Sequence, residues 1–235
     1  MISTIISVMN RTDRLGTILP SWANFDIIKE IIITDWSSKE NLIENQQIKD
    51  LIKEYPKIKI IRIDNQEYFH LPKSYNLAFN FTNPEYPFVL KIDADYLNIN
   101  ESNWLDNLLP IIKDDKYING INLSKDKSLS GFLLIHKKNF GKGYKENLAN
   151  AYGADDIDLY NRIEKNISKL LILDLNKYIY HIPHTDKLRV DNYQIKELNI
   201  NKLLNNQIKE KNIDWDIQKY KILENSKNYV KVNLV

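Results

Sequence analysis

The sequence has no cysteine, only six glycines in 235 residues, and no apolar run long enough to cross a bilayer. Without cysteine there is no disulfide, no thiolate metal site and no thiol nucleophile, and a reducing compartment suits the chain. A membrane span needs roughly 18–20 apolar residues, far more than the short Ile-rich runs present here. The opening MISTIISVMNRTDRL has neither a basic leader nor a small-residue cleavage site and reads as a strand rather than a signal peptide. A cytoplasmic location is therefore expected, with any membrane association peripheral or through a partner. Lysine and arginine (33) nearly balance aspartate and glutamate (31), and no dense basic block appears, so nothing favours nucleic acid as a partner. Neither a G-x-G-x-x-G fingerprint nor a Gly-Lys-Ser/Thr phosphate loop is present. Any phosphate must then be gripped by a metal and basic side chains.

What is present is an ordinary globular composition, 43% hydrophobic and 27% charged, in a chain long enough to bury roughly 70–75% of its unfolded surface. Short β-branched runs alternate with helical patterns through the first half. Strands are expected at Ser3–Met9, Glu30–Thr34, Lys57–Ile63 and Tyr86–Ile92. Helices are expected over Asp13–Asn24, from a cap at Ser38 to near Tyr55, and over Leu71–Phe81. Such alternation predicts an α/β fold, a mostly parallel central sheet with helices on both faces. Beyond Asn100 the pattern mixes. Helices are expected at Trp104–Ile112 and Ala154–Lys165, strands at Tyr117–Leu123, Ser130–His136 and Tyr178–Ile182. From Asp191 the chain is Asn- and Lys-rich, expected helical up to a strand-like Tyr229–Val235.

Three groups of residues could carry chemistry. Asp93-Ala94-Asp95 follows an apolar strand directly, at the end where open α/β sheets bind ligands, and its oxygen ligands suit Mg²⁺ or Mn²⁺. The D-x-D spacing recurs at Asp156–Asp158 and Asp214–Asp216, so position rather than spacing singles this one out. Asp155, Asp156 and Asp158 crowd the start of a helix. The helix dipole favours acids there, but a third carboxylate adds repulsion that suggests a use, one acid as general base and a neighbour on substrate hydroxyls. His181-Ile182-Pro183-His184 holds two of the four histidines. Strand parity would turn them to opposite sides, leaving at most one to join a carboxylate metal site. Arg11, Arg14 and Lys73 follow strands and could face a diphosphate as readily as solvent.

Read in order, these segments resemble family-2-like inverting glycosyltransferases of the GT-A fold, a Rossmann-like nucleotide-diphospho-sugar transferase architecture. The Asn10-Arg11 pair after strand one, Glu30–Ser38 against the family's EIIVVDDGS, Lys73-Ser74-Tyr75-Asn76, the KIDAD metal motif and Tyr144–Arg162 carry the likeness. The last stretch also resembles β-1,4-galactosyltransferases and chondroitin-type polymerases. The resemblance spans about residues 1–190, a nucleotide-binding half to about 100 and an acceptor half beyond, with 191–235 as an extension packed on the same domain.

The resemblance implies Asp156 as catalytic base, Asp155 and Asp158 toward sugar hydroxyls, and Asp93 and Asp95 at the metal and diphosphate. His184 is preferred over His181 as the further ligand. Asn10, Arg11, Arg14, Asp35, Trp36, Lys73 and Asn76 would face the donor nucleotide, Trp36 standing where relatives carry a second Asp. The implied reaction is metal-dependent, inverting transfer from a nucleoside diphosphate sugar, UDP preferred, to a glycan or other hydroxyl acceptor. A sugar-nucleotide or glycan binder without turnover, and a nucleotidyltransferase, are the alternatives.

Overall fold

The computed structural model describes residues 1–100, 102–121, 128–148, 150–169, 174–197 and 215–235. In chain order its elements are β1 (Ile2–Val8), α1 (Thr12–Ala23), β2 (Ile28–Trp36), α2 (Gln46–Glu54), β3 (Ile58–Ile63), α3 (Leu71–Asn80), β4 (Phe88–Lys91) and β5 (Tyr96–Asn98). There follow α4 (Trp104–Ile112), β6 (Lys116–Asn119), β7 (Leu133–His136), α5 (Lys137–Phe140), α6 (Asp155–Ile163), β8 (Ser168–Lys169), β9 (Ile179–His181), α7 (Asp186–Val190), β10 (Tyr220–Asn225) and β11 (Tyr229–Leu234).

Nine strands form one sheet in the order β10-β11-β3-β2-β1-β4-β7-β6-β8. From β11 through β4 every pairing is parallel, whereas β7 runs antiparallel to both β4 and β6. Isoleucine alternation explains the two covered faces, because successive strand residues point to opposite sides. Ile6, Ile31 and Ile33 pack with Leu15, Ile18 and Trp22 of α1 and with Leu105 of α4. Ile5, Ile32 and Ile61 pack on the other side with Tyr75 of α3 and Leu159 and Tyr160 of α6.

The second helix is shorter than expected and begins after Asn45, whose side chain accepts from the Ile48 amide. Ser38 caps no helix. It is buried in the loop after β2, where its hydroxyl accepts from the Asn10 amide. The extension beyond Asp191 adds the β10–β11 hairpin to the sheet edge, with β11 parallel to β3. The helix expected from Asp191 up to the last strand is corrected where residues are described: 191–197 hold turns and a bridge, and Tyr220–Asn225 is the edge strand β10, whose mostly exposed residues carry no strand periodicity. Residues 198–214, and 122–123 of the expected sixth strand, lie outside the described residues.

Two consequences of this topology place the site. Parallel β1 and β4 are adjacent, so their C-terminal ends deliver Asn10-Arg11 and Asp93-Ala94-Asp95 side by side. Then β5 pairs antiparallel with β9 in a small second sheet that sets Tyr96 opposite His181, bringing the histidine segment onto the end of the acidic motif.

Candidate active site

A cavity of about 650 Å³ opens at these strand ends, lined among others by Arg11, Asp93, Asp95, Asp155, Asp156 and His184. A second, of about 770 Å³, adjoins it, is lined by Asn10, Arg14, Lys39 and Gln66, and shares Met9, Arg11 and Asn192 with the first. Both lie within the range of small-molecule sites.

Asp95, His181 and His184 offer three ligand atoms all within 4.8 Å of one another. Asp95 Oδ2 lies 3.3 Å from His184 Nε2, 3.8 Å from His181 Nε2 and 3.1 Å from Arg11 Nη1. Both histidines therefore converge, against the strand-parity expectation. The reason is local: β9 ends at His181, and Pro183 carries the chain out of the strand. Arg14 fixes the turn, donating from Nη1 to the Ile182 carbonyl at 2.9 Å and from Nη2 to the Pro183 carbonyl at 3.0 Å. Arg14 thus holds the backbone of the histidine segment. One oxygen and two imidazole nitrogens form a donor set that accepts Mn²⁺ and other first-row divalent ions. Burial, opposed by the Asp95 charge, lowers the His181 pKa, favouring the neutral imidazole that ligates metal. Asp93 lies outside this set.

The opposite wall is the start of α6. Gly153 and Ala154 both take positive φ, 104° and 69°, and swing Asp155 and Asp156 toward the crevice. Asp156 Oδ1 accepts from the Tyr144 hydroxyl at 2.6 Å and from Lys91 Nζ at 3.2 Å. Lys91 also donates to Asp93 Oδ1 at 2.8 Å, which receives the Tyr75 hydroxyl at 2.9 Å. Burial raises the pKa of Asp156, and the Asp93 charge adds to this against the opposing Lys91 ammonium. For Asp93 burial acts in the same direction, but Lys91 and the hydroxyls of Tyr75 and Tyr96 outweigh it and lower the pKa. Asp155 is 3% exposed, its Oδ1 has no hydrogen-bond partner among the described residues, and burial with the Asp156 charge pushes its pKa well up. Gly131 makes room for Asp93, since a Cβ there would stand 2.1 Å from Asp93 Oδ2.

Five sequence candidates face elsewhere. Asp35 is fully buried and accepts from the Ser38 and Leu42 amides and, at 2.6 Å, from Arg62. Its acceptors are spent on the loop after β2. Trp36 is buried, its indole N–H donating to the Tyr68 carbonyl. Lys73 donates to Gln218 Oε1, and Asn76 bonds Tyr144 and Glu146. Asp158 is buried between Arg162 and Lys145. The sequence reading missed Lys91, Tyr75, Tyr144 and Arg189, the last lining the first cavity from α7. A lysine inside a strand buried on both faces was the available signal.

These features define an α/β fold of the GT-A type with an acid- and histidine-lined crevice. No protein-family model matches the sequence, and no curated protein does. Among solved structures, the catalytic domain of Drosophila β1,4-galactosyltransferase 7 in complex with xylobiose superposes with TM-score 0.61 at 16% identity, over 100% of this chain and 94% of that one. The same Drosophila enzyme as a mutant complex with manganese, UDP-Gal and xylobiose gives 0.60 at 17% identity, with the same coverage. Residues 1–349 of Staphylococcus aureus TarS give 0.58 at 17%, over 79% of this chain and 60% of that one. At these identities the likeness establishes the fold.

Proposed function

We propose that the chain is a metal-dependent, family-2-like glycosyltransferase that moves a sugar from a nucleoside diphosphate, UDP preferred, to a hydroxyl acceptor with inversion. The observation that carries this reading is the meeting, in one crevice of a GT-A fold, of the Asp95–His181–His184 set with Asp156 on the facing wall. The Drosophila structure solved with manganese and UDP-Gal supports the same donor class.

In this reading Asp95, His181 and His184 hold Mn²⁺ or Mg²⁺. When bound, the cation neutralises charge developing on the departing diphosphate. Arg11, which lines both cavities, faces the diphosphate beside it, and the second cavity takes the nucleoside with Asn10 at its edge. Asp156 accepts the proton of the attacking hydroxyl as the new glycosidic C–O bond forms and the bond to the diphosphate breaks. An ordinary aspartate is a weak base toward a free alcohol, and the raised pKa of Asp156 brings it closer to that task. Asp155 binds a sugar hydroxyl, which gives its unpartnered Oδ1 a donor. Holding both reactants against these walls recovers roughly 7–11 kcal/mol of barrier when alignment is good.

The test is release of nucleotide from a panel of UDP-, GDP- and dTDP-sugars with Mn²⁺, beside an Asp95→Ala control. Release from one donor, lost with EDTA and in the variant, is expected, and NMR of the product then reads the anomeric configuration. No turnover together with no Mn²⁺-dependent UDP binding in calorimetry sinks the reading.

A further inference from the structure

Lys91 stands where a strand covered on both faces calls for an apolar side chain. It shares a face of β4 with Val89, the face covered by α3 and α6. Its side chain is fully buried, lines neither cavity, and sits 4.6 Å from the Tyr75 ring centroid. A buried ammonium is tolerated only when its charge is matched at close range. Here the match comes from two carboxylates on different elements, Asp93 at 2.8 Å and Asp156 at 3.2 Å. Those carboxylates belong to the two walls of the crevice, and Lys91 is the direct link between them.

The link also selects an atom. Oδ1 of Asp156 is taken by Lys91 and Tyr144, and no described residue donates to Oδ2. The Asp156 side chain is 20% exposed and lines the cavity.

We propose that Lys91 is a positioning residue: its buried ammonium clamps Asp156 Oδ1 against Asp93, fixing the base relative to the metal-side strand end and leaving Oδ2 to receive the acceptor proton. The role rests on the transferase reading above. It differs from a packing role because it depends on the charge and length of the side chain rather than on the volume filled. Lys91 never touches substrate, so its removal should disturb turnover while sparing the Asp95–His181–His184 set, none of which it contacts.

The absence of cysteine permits a clean test. Lys91→Cys carries the only thiol in the chain, and alkylation with 2-bromoethylamine in urea, followed by refolding, rebuilds a lysine-length ammonium with sulfur in place of one methylene. Lys91→Met and unmodified Lys91→Cys are expected to lose about 100-fold or more in kcat, with donor KM and Mn²⁺ affinity within about threefold of wild type. The alkylated protein should regain most of the lost kcat. Lys91→Met with wild-type kcat overturns the proposal, as does alkylated protein that binds Mn²⁺ normally yet stays at the Met level. Should the single variants not fold, the Tm of Lys91→Met/Asp93→Asn/Asp156→Asn, set against Lys91→Met/Asp93→Asn, reads the link to Asp156 independently of activity. A higher Tm in the triple variant supports it, and an equal or lower Tm overturns it. Wild-type protein without turnover sinks the transferase reading and the positioning role with it. Active wild type with indifferent variants sinks the positioning role alone.

Discussion

At the metal corner of the crevice, Asp95, His181 and His184 are placed by backbone. The β5–β9 pairing sets His181, Arg14 grips the carbonyls of Ile182 and Pro183, and the ligand atoms are left facing one another. At the base corner, placement comes from side chains: Asp156 is fixed by Lys91 and Tyr144, and Asp93 by Lys91 and Tyr75. The first arrangement keeps donor atoms available to an incoming cation. The second spends Oδ1 of each carboxylate on the interior and leaves Oδ2 of Asp156 facing the cavity. Changes at the metal corner should therefore lower turnover through lost cation binding, and changes at the base corner should lower turnover with cation binding intact.

The largest effect expected from breaking this division is at Asp156. Asp156→Asn removes the proposed proton acceptor while keeping shape, and kcat should fall by about 10²–10⁴, with Mn²⁺ affinity unchanged in calorimetry. The same residue fixes the acid side of the pH profile. A base works when deprotonated, so its raised pKa moves the lower limb of kcat upward from the ordinary value of 3.8, turnover failing as pH drops through it. A limb at or below the ordinary aspartate value would place the base elsewhere.

Next comes the ligand set. Outer partners of metal ligands are worth about 10–100-fold in affinity, so loss of a ligand itself in Asp95→Ala should exceed about 100-fold in Mn²⁺ binding. Arg14→Met should fall inside the outer-partner range, because it frees the turn that carries both histidines. Arg14→Lys should restore little, since an ammonium lacks the fork that reaches two carbonyls at once. Equal Mn²⁺ affinity in Arg14→Met and wild type would show that the β5–β9 pairing alone places the histidines.

The same contrast explains what could be read without coordinates. The KIDAD motif, the Asp155–Asp156 pair and the two histidines were legible because residue type and strand-end position both pointed to a crevice. The positions of the first four strands along the chain were legible from their short apolar, β-branched runs. Asp35 misled because it too ends a strand, and only folding brings Arg62, 27 residues away, to consume its carboxylate. Histidine parity misled because it assumed a strand that Pro183 ends. Lys91 beside an acidic motif looks like a surface charge until α6 is laid over it. The strand β10 gave no periodic signal because five of its six residues are exposed at the sheet edge.

The smallest effect sharpens the base corner from its backbone. Ala154 holds φ at 69°, a conformation that costs an L-residue about 1–2 kcal/mol, and the side chain offers no cap to α6. The preceding Gly153 cannot absorb that cost, because each residue has its own φ to satisfy. Ala154→Gly relieves the strain and gives back about 0.5–1 kcal/mol in lost conformational entropy. A net gain of up to about 1 kcal/mol, or a Tm higher by about 2–4 °C, is expected by calorimetry. If kcat holds while Tm rises, Lys91 and Tyr144 suffice to place Asp156. If kcat falls as Tm rises, the stiffness of Ala154 helps to aim the base, and the base corner depends on backbone after all.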